Sequence, residues 1–98
     1  MIAVTSFDYT KHVESRHPSG KKMYEFADLV LDNKVPKGDA LVEAENFPVK
    51  FTPASGVAST AILHTLMTMV VEEMLKRGEE PPVLISANVD GGADHNER

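Results

Sequence analysis

The chain reads as a layered α/β protein with a parallel sheet, and three features of its order predict this. Two short unbroken apolar runs, Ile2, Ala3, Val4 and Leu29, Val30, Leu31, have the composition of strands buried on both faces of a parallel sheet. A loop and a short helical stretch separate them. A long apolar segment at 56–77, with no proline and no interior glycine, follows them. Strand, loop, helix, strand, helix is the order in which helices pack on a sheet.

Taken in order, the first run ends at Thr5 and Ser6. Residues 7–20 are polar and close on Pro18, Ser19 and Gly20, which predicts a loop, and a loop of that length is often functional. Ser19 is placed to cap a short helix over 20–27, with Met23, Phe26 and Ala27 on one side and Lys21, Lys22 and Glu25 on the other. The second run ends at Asp32 and Asn33, and Pro36 and Gly38 mark the turn after it. Between 40 and 51, Leu41 with Val42 and Val49 with Phe51 form two short apolar pieces that predict a small hairpin. The long helix has Ser55 as its cap, Lys76 and Arg77 in its last turn and Gly78 as its stop. Its apolar residues cover more than the single stripe a surface helix needs. Either it is a central core helix, or one face lies on the sheet and the other on a partner subunit. After Pro81 and Pro82, Val83, Leu84 and Ile85 predict a last strand, and residues 88–96 a polar turn.

Ninety-eight residues make one small domain, which buries only about 60 to 65% of the surface its unfolded chain exposes. Hydrophobic residues at 42% and charged residues at 26% are globular values and exclude disorder as the main state. Ten Lys and Arg against fifteen Asp and Glu give a net charge of -5, which repels phosphate backbones and anionic lipids, so neither nucleic acid nor membrane is an expected partner. The apolar stretch from 62 to 75 is broken by His64, Thr65, Thr68, Glu72 and Glu73 and cannot span a bilayer. No basic segment precedes Ile2, so no cleavable leader is expected. Zero cysteines exclude disulfides, a thiol nucleophile and thiolate metal sites. These features together predict a cytoplasmic protein.

Candidate chemistry is sparse. Asp90, Asp94 and His95 form the tightest cluster of metal-ligating types, but their spacing matches no calcium loop, so no metal and no cofactor is expected. His64, inside the apolar helix, reads as a hydrogen-bonded core or interface residue. Ser19, Gly20 and Lys21 lack the upstream glycine and the following hydroxyl of a nucleotide loop. Arg16, His17, Ser19 and Lys21 lie close together, as solvated loop charge or as an anion-recognising group. Polar strand ends at Thr5, Ser6, Asp32 and Asn33 are the default ligand location in an open α/β sheet. Ser55, Ser59 and Thr60 put three hydroxyls at a helix N-terminus, where free N–H groups favour an anion or a sugar hydroxyl.

The segment GVAST after Pro53 resembles the start of the C-terminal helix in sugar isomerase (SIS) domains. With IAVTS, SRHPSGKKMYEFADLVLDN, GDA and PPVLISANVDGGADHN, it is similar to an uncharacterised bacterial SIS family described as phosphosugar isomerases. The resemblance implies the C-terminal half of a flavodoxin-like three-layer parallel sheet. Residues 1–98 would be a partial domain lacking the half that holds the phosphate. It places Thr5 and Ser6 at the strand end facing a sugar phosphate, and Ser59 and Thr60 near the sugar. Where the aminosugar member has its glutamate base, this chain has Ala54, so the isolated chain is expected to be catalytically incompetent and its acid-base residue is unassigned among His17, Glu43 and His95. The alternative is an interaction or oligomerisation module, or a sugar-phosphate sensor. In it the strand from Ile2 to Thr5 has an unpaired edge, and that edge and the long helix build a homo-oligomer.

Overall fold

The structure, a computed structural model, describes residues 1–97. It divides into two compact bodies, Met1–Thr65 and Leu66–Arg98.

In the first body, strand β1 (Ile2–Thr5) runs parallel to β2 (Leu29–Asp32), in register from Ile2 opposite Leu29 to Thr5 opposite Asp32. The Asn33 N–H extends this ladder to the Thr5 carbonyl at 2.9 Å. Ala3 and Val35, each 3% exposed, form a very small core, and Ser6 is buried beside them. Helix α1 (Phe7–Lys11) occupies the start of the expected loop. Its cap is Ser6, whose hydroxyl accepts the Tyr9 N–H at 3.0 Å and donates to the Val35 carbonyl.

The expected helix over 20–27 is only a 3₁₀ turn, Met23–Phe26. Ser19 does not cap it. Instead Glu25 reaches back to accept the Lys22 N–H at 2.6 Å, and Tyr24 packs edge-on against Phe7 at 5.5 Å. The hairpin is present but its second strand is displaced: β3 (Ala40–Val42) pairs antiparallel with β4 (Phe51–Pro53), so Val49 of the expected piece lies outside the strand.

Helix α2 (Ser55–Lys76) starts in the first body and ends in the second. It stops where the sequence predicts. Gly78 takes a left-handed φ of 74°, and the Glu79 N–H returns to the Met74 carbonyl at 2.9 Å, which closes a Schellman turn that a side-chain-bearing residue would strain. In the second body, Val83, Leu84 and Ile85 do not form the expected strand. The Asn96 amide takes the place of a neighbouring strand, accepting the Ile85 N–H at 2.8 Å and donating to the Ile85 carbonyl at 2.7 Å. Asn96 ends a short helix, α3 (Gly92–Asn96), in the segment predicted as a turn. Gly92 is buried so close to the Ser86 carbonyl that a Cβ would collide with it.

The architecture is therefore mixed α/β, with two small sheets and one long helix. The flavodoxin-like three-layer sheet is not found: each sheet has two strands. The core-helix expectation also fails, because α2 buries none of its residues.

Candidate functional site

Four of the polar residues that the sequence singles out as ligand candidates converge where the end of β1 meets the start of α2. An open cavity of about 370 Å³ there is lined by Thr5, Ser6, Asn33, Asp39, Ser55 and Ser59, among others. The turn after β2 brings Asp39 to it, with a left-handed φ of 65° that aspartate tolerates better than most residues.

Asp39 organises the group. One carboxylate oxygen accepts the N–H groups of Ala54 and Ser55 at 3.1 and 2.8 Å, and the other accepts the Ser55 hydroxyl at 2.7 Å. A side chain 16 residues upstream thus caps α2, and Ser55, the expected cap, is the first helical residue instead. The Ser55 hydroxyl, followed by the Ser55 and Ala54 N–H groups, holds the Asp39 carboxyl below its ordinary pKa against a smaller opposing effect of burial. Asp32 is also held low, first by the Lys34 N–H at 2.9 Å, with the Lys34 ammonium at 3.2 Å and the Phe7 N–H assisting against burial.

The remaining hydroxyls bond within the protein. Ser6 bridges Tyr9 and Val35, and Ser59 accepts from the Asn33 amide at 3.2 Å while Asn33 accepts the Val35 N–H at 3.1 Å. Together these bonds tie β1, the turn after β2 and α2 into one frame.

Of the seven sequence-predicted ligand residues, Thr5, Ser6, Ser55 and Ser59 line this cavity. Arg16 and His17 line a different one, and Thr60 is exposed one position beyond Ser59 and lines neither. Sequence reasoning missed Asp39, because no local pattern links it to a helix that starts so far along the chain. Among the described residues there is no group of three or more His, Cys, Asp or Glu side chains placed to hold a metal ion. Among them, too, no helix is long and apolar enough to cross a membrane.

No family model matches the chain. Curated relatives do. The chain is 44% identical over 97 residues to a UPF0309 protein of Geobacillus thermodenitrificans, covering 99% of this chain and 39% of the relative. It is 42% identical over 97 residues to one from Halalkalibacterium halodurans, with the same coverage. With one from Listeria monocytogenes it shares 43% over 96 residues, covering 98% of this chain and 41% of the relative. These findings correct the expectation drawn from the SIS resemblance. The relatives carry the name of a separate, uncharacterised group, and nothing in that name speaks of a sugar phosphate, an isomerase or a sensor of either. The reading as a phosphosugar-binding half-domain, with Thr5, Ser6, Ser59 and Thr60 around a sugar phosphate, falls with it. What stands is similarity to UPF0309 proteins along nearly the whole of this chain, which spans about two fifths of their length.

Proposed function

We infer that this chain is a self-association module, which pairs with a second copy of itself through α2 and the open edges of the β1–β2 sheet. The observation that supports this best is the bareness of α2. Leu63, Met67, Val70 and Met74 recur at spacings of four, three and four, the rhythm of a helix-pairing seam. Met67 is 57% exposed, and no residue of the helix is buried.

The sheet supports the same reading. Parallel strands are normally covered on both faces and flanked by neighbours, yet Ile2 and Leu29 are 54% and 50% exposed in a two-stranded sheet. A second copy related by a twofold axis covers the same patch on both chains at once. With no cysteine in the chain, association needs no disulfide, and we place the protein in the cytoplasm.

Light scattering across a dilution series tests the reading. A mass of twice the chain, falling toward one chain on dilution, is expected. A single-chain mass at every concentration overturns it.

A further inference from the structure

The first body carries a second cavity, and it has a different character. It is an open hollow of about 710 Å³ between the loop after α1 and the 3₁₀ turn, in the size range of small-molecule sites. Val13, Met23 and Phe26 give it carbon walls, and Arg16, His17 and Lys21 stand among them. No acidic side chain lines it, in a chain with five more acids than bases.

The loop that carries these groups is ordered from within. The Ser15 hydroxyl donates to the Lys21 carbonyl at 2.6 Å and accepts the His17 N–H at 3.1 Å, and the Gly20 N–H closes on the His17 carbonyl at 2.9 Å. The Lys22 ammonium donates to the Thr10 carbonyl and fixes the wall. His17 Nδ1 lies 2.7 Å from the Ser19 hydroxyl oxygen and 3.2 Å from the Ser19 nitrogen, which anchors the ring to the loop. The imidazole packs edge-on to Phe26 at 6.3 Å, and the Lys21 ammonium stands 5.7 Å from the same ring's centre. Neither Arg16 nor Lys21 forms an ion pair with any carboxylate among the described residues.

We propose that this hollow binds a small amphiphilic carboxylate, with an aryl or short acyl body on Val13, Met23 and Phe26 and its carboxylate between Arg16 and Lys21. The unpaired guanidinium offers a planar fork that matches a carboxylate, and the carbon walls select an apolar body over a hydrated one. The site is independent of α2, so a failure here leaves the self-association reading standing, and the converse also holds.

The test is a methyl NMR titration of the full chain with 1-naphthoate. Two controls separate the parts of the ligand: 1-naphthalenemethanol has the body without the charge, and acetate has the charge without the body. Saturable shifts at Val13 and Met23 are expected for naphthoate, at an affinity about tenfold above that of the alcohol. Acetate should shift neither methyl group. The double variant Arg16→Gln with Lys21→Gln, both at exposed positions, should erase the preference for acid over alcohol while the methyl spectrum stays dispersed. Equal affinity for acid and alcohol on the unaltered chain overturns the proposal. So do saturation by acetate alone, shifts centred on α2 methyl groups, or an acid preference that survives the double variant.

Discussion

The two bodies of this chain both expose apolar surface, Val57 at 77% in the first and Leu84 at 75% in the second, but they differ in how their polar groups tie elements together. In Met1–Thr65, polar groups are satisfied internally: Asp39 caps α2, Ser6 bridges α1 and the turn after β2, and Ala3 and Val35 are almost fully covered. In the second body, the buried residue among those described is Gly92, while Met67, Met69, Leu75 and Leu84 are 57 to 75% exposed. Hydrogen bonds are directional and can place elements with little apolar burial, whereas apolar side chains gain only when another surface removes water from them. The first body is held by internal bonds. The second leaves its apolar surface uncovered.

The most forceful way to break this contrast is to charge the helix seam. Met67→Glu with Val70→Glu places two carboxylates where a second copy would have to desolvate them. Dimer affinity should fall by at least about 100-fold, or ~2.7 kcal/mol, as read by sedimentation equilibrium. Met69→Glu adds the same kind of charge about 120° or more around the helix from the seam's centre and should leave the mass unchanged. If both variants dissociate alike, the seam is not the contact and the contrast loses its explanation.

A smaller effect should be confined to the first body. Ala3 is 3% exposed on β1, opposite Val30. Ala3→Leu overfills the space between strand and turn at a cost of about 2 kcal/mol, seen as a lower urea midpoint at unchanged slope. The mass by light scattering should remain that of the unaltered protein at concentrations well above its dissociation range. Loss of dimer without loss of stability would mean that the β1–β2 sheet, more than the seam, carries the association.

What the sequence discloses about this molecule depends on how local each signal is. The stop at Gly78 is legible because a Schellman turn is closed by residues within six positions of one another. The paired runs at β1 and β2 and the hairpin at β3 and β4 are legible because each apolar piece is bounded by turn residues. Helix α1 is hidden because five residues give too short a window for periodicity, although Ser6 and Asp8 are an ordinary cap and first-turn acid. The strand predicted at Val83, Leu84 and Ile85 fails because a strand is defined by its neighbour, and here the Asn96 side chain takes that role. The candidate site follows the same rule. Thr5, Ser6, Ser55 and Ser59 come together as strand-end and helix-start logic implies, but Arg16 and His17 are drawn away by a loop that folds onto Phe26. The capping of α2 by Asp39 spans 16 residues and left no local trace.

That long-range cap makes the finest prediction. The carboxyl of Asp39 is held below its ordinary pKa by the Ser55 hydroxyl and the Ser55 and Ala54 N–H groups, so the folded chain binds this proton less readily than the unfolded chain does. The stabilisation is fully present above the unfolded value near 3.8 and is lost as pH falls through the lower folded value, because protons then accumulate first on the unfolded state. Asp32, also held low, adds to the same slope. Thermal midpoints measured from neutral pH down through pH ~3 should therefore fall, and Asp39→Asn should flatten that fall without abolishing it. At neutral pH the variant keeps one amide oxygen to accept the Ala54 and Ser55 N–H groups, so its midpoint should drop by only about 5 °C. A variant with the parent's full acid slope would show that the Asp39 carboxylate does not hold the start of α2, and the first body would then need another account of its order.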